Sequence, residues 1–163
     1  MFISWNCCCN GQQSNSSTIL YYSDMDVHSP EKRSFNMSKI RSKNTKPEIL
    51  VRKWLWKNNF RYRLHASDLP GKPDIVFRSR KAVIFVHGCF WHRHGCKYSS
   101  APKSHQDFWI KKFELNIKRD KKNIENLLNQ GWRVLILWEC EIKKWEDEAE
   151  PKLKSFLDNI FSV

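Results

Sequence analysis

The chain has 163 residues, enough for one domain with its own hydrophobic core. It carries 29 Lys and Arg against 17 Asp and Glu, which gives a formal net charge of +12. No run is long and apolar enough for a membrane span. This composition argues against a membrane protein and favours nucleic acid as a partner, because basic side chains gain affinity by releasing phosphate counterions. A solvated basic surface without a partner is the alternative.

Residues 1–24 differ in composition from the rest of the chain. They contain no Lys or Arg, and a polar stretch follows three adjacent cysteines. They also lack the basic start and apolar core of a signal peptide. We predict that they form a disordered or spurious N-terminal extension, with Met25 as a candidate start. The domain is predicted at residues 25–163. Its first part, 25–44, is predicted to be a basic arm or short helix that could lie along DNA.

The first helix of the domain body is predicted after Asn44. Thr45-Lys46-Pro47-Glu48 has the pattern of a capping box with proline in the first turn. The helix should continue to about Asn58. The side chains expected to face the core are Ile49, Leu50, Trp54 and Leu55.

Strands and a long helix follow in chain order. Residues 61–65 alternate like a strand, and apolar strands are predicted at 74–77 and 82–86. A helical region runs from about 104 to 129 with an allowed break at 116–120, and Gly131 stops it. Residues 132–138 suit a buried strand, and the apolar spacing from Leu153 to Phe161 predicts an amphipathic helix. This order predicts an α/β domain with a mixed sheet.

The densest group of reactive side chains follows the strand at 82–86. Cys89, His94 and Cys96 lie close together in the sequence, and Cys140 follows a later strand. Three thiolates and one imidazole are a ligand set for a closed tetrahedral zinc site. The alternative is that the cysteines are buried free thiols and His94 is exposed, since the spacing is not that of a standard zinc finger.

Acidic and histidine side chains suggest a second site. Asp74 opens one strand and His87 ends the next, an arrangement in which many nucleases hold Mg²⁺ through carboxylate oxygen. The alternative for Asp74 is a turn residue, and the alternative for Glu48 is its place in the capping box. His87 and His92 are candidate proton acceptors because the imidazole pKa lies near neutral pH, although either could be a packed loop residue.

Aromatic side chains stand among the basic residues of the same region. Phe90 and Trp91 lie within the His/Cys segment, and Trp109 lies shortly after it. Aromatic rings beside cations can stack on bases or wedge between them. Core packing is the alternative.

Three segments together resemble the very short patch repair (Vsr) DNA mismatch endonucleases. They are Gly71-Lys72-Pro73-Asp74, the run Ile-Phe-Val-His-Gly-Cys-Phe-Trp-His-x-His-x-Cys at 84–96, and Gly-Trp-Arg-Val-Leu-x-x-Trp-Glu-Cys at 131–140. The resemblance implies a PD-(D/E)XK restriction-endonuclease-like fold, with a mixed central sheet flanked by helices and a structural zinc site. It implies Mg²⁺-dependent nicking of double-stranded DNA on the 5′ side of the T in T:G mismatches that arise from 5-methylcytosine deamination.

The resemblance also implies roles for single residues. Asp74 would bind Mg²⁺, joined by the backbone carbonyl of Val86, where the best-studied member has threonine. His92 would be the base that acts through a metal-bound water, and His87 would assist at the scissile phosphate. Glu48 matches the N-terminal acid associated with the site.

The remaining matches concern zinc and DNA. The implied zinc ligands are Cys89, His94, Cys96 and Cys140. The implied DNA-wedging aromatics are Phe90, Trp91 and Trp109.

The resemblance implies a monomeric, cytoplasmic bacterial enzyme that works at the nucleoid and outside any membrane. Its partner would be double-stranded DNA with a T:G mismatch, and a MutL-type mismatch-repair protein is a further candidate. Two rival functions remain open: a nuclease of altered specificity tied to a restriction–modification locus, and a catalytically inactive module that binds DNA structures.

Overall fold

A computed structural model describes residues 29–39, 43–102 and 105–162 of the chain. The predicted extension 1–24 and the candidate start Met25 lie outside these ranges. The described part of the arm contains helix α1 (Pro30–Ser38), which the side chain of Ser29 caps by accepting a hydrogen bond from the Lys32 amide. No described helix combines the length and apolarity that crossing a membrane requires.

The centre of the domain is a four-stranded mixed sheet in the order β1-β2-β3-β4. The strands are β1 (Arg63–Leu64), β2 (Ile75–Phe77), β3 (Ala82–His87) and β4 (Arg133–Trp138). The pairs β1–β2 and β2–β3 are antiparallel, and β3–β4 is parallel. The predicted mixed sheet is therefore confirmed, although β1 is shorter than expected.

Helices surround this sheet. They are α2 (Lys46–Lys57), α3 (Cys89–His92), α4 (Gln106–Asn129), α5 (Glu139–Lys143) and α6 (Glu150–Phe161). Helix α4 belongs to the crossover that joins the parallel strands β3 and β4, as such a pair requires. It is continuous over its 24 residues, so the break allowed at 116–120 does not occur.

Each face of the sheet packs against its own helices because side chains alternate along a strand. Ile75 and Ile84 belong to the apolar cluster that includes residues of α2 and α6. Val76 and Val83 point the other way and pack with Leu127 of α4. The core therefore has two layers, one on each side of the sheet.

The face of α2 that is buried differs from the predicted one. Val51 and Leu55 are fully buried, whereas Ile49 and Leu50, expected in the core, are 37% and 39% exposed. Residues three and four apart share one face of a helix, so the buried face that contains Val51 and Leu55 also contains Glu48. The helix thus carries an acidic side chain into the interior near its first turn.

Candidate active site and metal cluster

A groove of about 1030 Å³ opens where β3 ends. Val86, His87 and Gly88 line it from the sheet, and residues of α2, α3 and α4 line its other walls. Its basic residues are Lys43, Lys72, Lys112 and Arg119. A cleft with cations at its wall and acids inside suits a substrate that carries phosphates.

Two carboxylates and one imidazole converge inside this groove. Single ligand atoms of Glu48, His65 and Asp74 lie within 4.8 Å of one another. Glu48 is only 3% exposed and also caps α2, because it accepts hydrogen bonds from the Asn44 amide at 2.9 Å and the Thr45 hydroxyl at 2.9 Å. Glu48 can therefore cap the helix and face the candidate site at the same time.

The position of Asp74 follows from the strand pairing. Its Oδ2 atom accepts a hydrogen bond from the Val86 amide at 2.8 Å. This bond extends the contact between strands β2 and β3 beyond their paired residues. Burial raises the pKa of Asp74 to about 6, a rise that this hydrogen bond opposes and the nearby Glu48 carboxylate reinforces. Two partly desolvated acids that repel each other form a site that a divalent cation would stabilise.

His87 and His92 lie beside the acids and stack on each other. Their ring centroids are 3.8 Å apart, and the planes differ by 7°. Burial, with a smaller contribution from the neighbouring His92, lowers the pKa of His87 to about 3, so His87 is neutral at neutral pH. Its Nδ1 atom is buried and has no hydrogen-bond partner among the residues that the structure describes.

His92 has a carboxylate partner that the sequence did not reveal. Its Nδ1 atom lies 2.5 Å from Oδ2 of Asp120 on α4. Burial works against ionisation of Asp120, but the hydrogen bond and charge of His92, together with Arg119, lower its pKa. An ionised carboxylate at Nδ1 holds the proton there and leaves Nε2 as the basic nitrogen.

A second cluster joins the ends of β3 and β4. Ligand atoms of Cys89, His94, Cys96 and Cys140 lie within 4.8 Å of one another. Nε2 of His94 lies 3.3 Å from Sγ of Cys89 and 3.3 Å from Sγ of Cys140. Sulfur and nitrogen ligands of one tetrahedral zinc ion stand about 3.6 Å apart, given bonds of about 2.3 and 2.1 Å. The donor set and spacing therefore fit zinc.

The local backbone brings these ligands together. Arg93 ends α3 in the left-handed conformation with φ 53°, and Gly95 has φ 87°. Both residues turn the chain so that His94 and Cys96 return towards Cys89. Burial raises the pKa of the Cys89 thiol to about 12, so a metal ion must displace its proton to bind it as thiolate.

The three predicted DNA-contacting aromatics form one group beside the groove. The ring centroids of Phe90 and Trp91 are 4.9 Å apart, those of Phe90 and Trp109 are 5.5 Å apart, and those of Trp91 and Trp109 are 6.1 Å apart. All three side chains are partly exposed, and Trp91 lines the groove. The buried Asn116 holds α3 against α4 by donating to the Trp91 carbonyl at 3.2 Å.

Comparison with known proteins identifies the family. Residues 25–98 match the family described as DNA mismatch endonuclease Vsr. The DNA mismatch endonuclease Vsr of Escherichia coli is 40% identical over 127 residues, covering 76% of this chain and 81% of that protein. The chain belongs to the Vsr family. It is a DNA endonuclease of the Vsr type, a hydrolase, and the family implies a restriction-endonuclease-like fold.

Two further relatives of the chain show the extent of the similarity. The type II nicking enzyme V.XorIIP of Xanthomonas oryzae is 49% identical over 133 residues, covering 82% of this chain and 97% of that protein. The type II nicking enzyme V.NmeAIP of Neisseria meningitidis is 50% identical over 118 residues, covering 72% of this chain and 84% of that protein. The similarity therefore covers most of the chain, well beyond residue 98.

Two residues of the Vsr-type groove were not found from the sequence. His65 follows a two-residue strand in a loop, and Asp120 is one of many charged residues on α4. The only available signal for Asp120 was its position three residues before Asn123 and four before Ile124, which also line the groove. Every predicted site residue on the catalytic side, namely Glu48, Asp74, Val86, His87 and His92, lines that groove.

Proposed function

We propose that this protein is a Mg²⁺-dependent endonuclease that nicks duplex DNA 5′ of the T in T:G mismatches and so initiates very short patch repair. The observation that carries the proposal is the meeting of two acids and two stacked imidazoles in one basic groove, beside a group of partly exposed aromatic rings. Membership of the Vsr family supports the same function.

Asp74 and Glu48 are proposed to hold the cation, with the Val86 backbone carbonyl as a further oxygen donor. Both carboxylates converge near Val86, and hard oxygen atoms are the ligands that Mg²⁺ prefers. When bound, Mg²⁺ supplies positive charge that stabilises the negative charge that develops on phosphate oxygens during hydrolysis. The raised pKa of Asp74 supports this assignment, since a bound cation would offset both the burial of the carboxylate and its repulsion by Glu48.

His92 is proposed as the general base. Because Asp120 fixes the proton on Nδ1 of His92, Nε2 is left to accept the proton of the attacking water. His87 is proposed to assist at the scissile phosphate as a neutral imidazole, which can donate a hydrogen bond without adding charge. Its stacking on His92 restricts how both rings rotate.

The cluster of Cys89, His94, Cys96 and Cys140 is proposed to bind a structural zinc ion. All four protein donors are present, so a tetrahedral ion would keep no open position for a substrate. The cluster ties α3, which carries His92, to the end of β4. It therefore fixes the catalytic histidine relative to the sheet.

Phe90, Trp91 and Trp109 are proposed to wedge into DNA next to the mismatch. Separating two stacked base pairs costs a few kcal/mol, and the cost is lower where the pair is already mismatched. A partly exposed aromatic group next to the catalytic groove can recover part of this cost by stacking on the bases. Mismatch preference then follows from the difference between the two unstacking costs.

The direct test uses protein that begins at Met25, Mg²⁺ and end-labelled duplexes that differ only in T:G against C:G. We expect one nick 5′ of the T, which disappears with EDTA and with Asp74→Ala. Mismatch binding without a nick in any T:G context would refute the proposed specificity.

A nuclease of altered specificity is the second candidate. Its support is that two relatives are named type II nicking enzymes, so the same chemistry is associated with more than one name in this family. Nicking of a modified site or another mismatch in the same assay would favour it. An inactive DNA-binding module is disfavoured by the intact acids and histidines of the groove.

We also propose that the protein acts as a cytoplasmic monomer at the nucleoid and that a MutL-type protein stimulates it. Sedimentation with and without a mismatched duplex measures the oligomeric state. Nicking rates with and without the purified MutL-type protein measure the stimulation.

A further inference from the structure

We propose that His65 is a nitrogen ligand of the divalent cation, which makes the centre a mixed site of two carboxylates and one imidazole. The proposal rests on the cation site proposed above for Asp74 and Glu48 and adds a ligand of different chemistry. Its consequence is a preference for ions that accept nitrogen ligands.

The distances suit a shared ion. Nδ1 of His65 lies 4.0 Å from Oδ1 of Asp74, and one ring nitrogen lies within 4.8 Å of both carboxylates. Two ligands of an octahedral ion are about 3.0 Å apart when adjacent and about 4.2 Å apart when opposite, for bonds of about 2.1 Å. Movements of less than about 1 Å bring all three groups into this range.

The backbone holds His65 in this place. The β1–β2 register pairs Leu64 with Ile75, so the next residue along β1 stands opposite Asp74. The His65 amide donates to the Asp74 carbonyl at 3.3 Å, and the residue has φ 47° in the left-handed region. This conformation is uncommon in residues other than glycine, and the backbone hydrogen bond to Asp74 helps to hold His65 in it.

The surroundings of the ring also suit a bound cation. Its side chain is 20% exposed, and the buried Nε2 atom has no hydrogen-bond partner within the described ranges of the chain. Two carboxylates face the same ring. Acids that converge on one imidazole form a site that a cation bound by all three groups would stabilise. The groove already belongs to a metal-type nuclease site, which favours the cation.

Imidazole as a ligand changes which ions bind well. Mg²⁺ favours oxygen donors, whereas affinity for nitrogen donors rises along the first-row transition series from Mn²⁺. Removing the imidazole should therefore weaken Mn²⁺ binding by about 10-fold or more and Mg²⁺ binding by less than about 3-fold. If His65 only supported the loop, its replacement would weaken the binding of both ions equally.

The test measures Mn²⁺ on the full chain with its Cys₃His cluster filled with zinc, both free and bound to a short mismatch-free duplex. Pulsed electron paramagnetic resonance of bound Mn²⁺ detects a directly coordinated imidazole nitrogen. We expect this signal in the unmodified protein and its loss in His65→Asn. The matched control is His105→Asn, because His105 is exposed and also has a left-handed φ of 52°.

The outcomes separate this proposal from the function on which it rests. Bound Mn²⁺ that requires Asp74 but shows no nitrogen coupling, or coupling that survives in His65→Asn, refutes the role of His65 and leaves the catalytic site intact. Failure of Mn²⁺ to bind with or without duplex refutes the cation centre itself. Nitrogen coupling lost in His65→Asn and retained in His105→Asn supports the proposal.

Discussion

Replacing Asp74 by asparagine should stabilise the metal-free fold while it abolishes nicking. Burial raises the pKa of Asp74 to about 6, and Glu48 adds to the rise although the Val86 amide opposes it. The folded chain therefore holds this group ionised at neutral pH at a cost in free energy of unfolding. Asparagine is nearly the same shape and can still accept the hydrogen bond from the Val86 amide.

The size and sign of the effect follow from proton linkage. The ordinary pKa of an aspartate carboxyl is 3.8 and that of Asp74 in the fold is about 6, so the folded state binds the proton more tightly. The stability that this group contributes is present below the unfolded value and is lost as the pH rises through the folded value. At about 1.4 kcal/mol per pKa unit, the loss approaches ~3 kcal/mol near pH 7.5 and about half of that near pH 5. Because the Asp74 side chain is 19% exposed, these figures are upper limits.

Denaturant unfolding of zinc-loaded protein without Mg²⁺ measures this difference, with zinc content checked at each pH. Asp74→Asn should unfold at higher denaturant concentration than the unmodified protein, and the gap should narrow as the pH falls. Added Mg²⁺ should stabilise only the unmodified protein. The matched control is Asp68→Asn, which should give no gain because Asp68 is paired with Arg78 at 2.6 Å and its pKa is lowered. Equal or lower stability of Asp74→Asn near pH 7.5 would refute the reasoning.

Three other substitutions test the remaining parts of the site. Cys140→Ala should reduce bound zinc from about one ion per chain to almost none and lower the thermal midpoint; unchanged zinc content would contradict the cluster's role. Asp120→Asn should slow nicking by ~10²–10⁴-fold with DNA binding unchanged, because His92 loses its fixed tautomer. Single-turnover rates measure this, and a rate equal to that of the unmodified protein would exclude a catalytic role for the His92–Asp120 pair. Trp91→Ala should reduce the preference for mismatched over matched duplex by about 10-fold in binding titrations, since one stacking contact contributes about 1–3 kcal/mol. An equal loss of affinity for both duplexes would contradict wedging.

The parts of the structure that the sequence predicted are those in which the signal is local. The Thr45 and Glu48 pattern correctly predicted the start of α2, because both capping partners lie within one turn. The strands β3 and β4 were predicted from their apolar runs. The side chains of Cys89, His94, Cys96 and Cys140 converge as the sequence suggested, because three of them lie close together in the sequence. Their role as zinc ligands stays a prediction.

The parts that were missed depend on contacts between distant elements. The direction in which α2 faces is set by its packing on the sheet, so Ile49 is exposed where the sequence offered it as a core residue. Asp120 and His92 are 28 residues apart in the chain, and they become partners only because α4 lies across α3. His65 meets Asp74 through the β1–β2 register, which a two-residue strand does not reveal in advance.

The Cys₃His cluster also constrains the order in which the chain can fold. Cys89 and Cys140 are 51 residues apart, so this site differs from a zinc finger whose ligands come from one short segment. During synthesis the fourth ligand emerges only after the whole of α4, and it reaches the others only when β4 has paired with β3. Parallel pairing across a long connection is a slow step of folding. Capture of the proposed zinc ion should therefore come late, after the sheet has assembled.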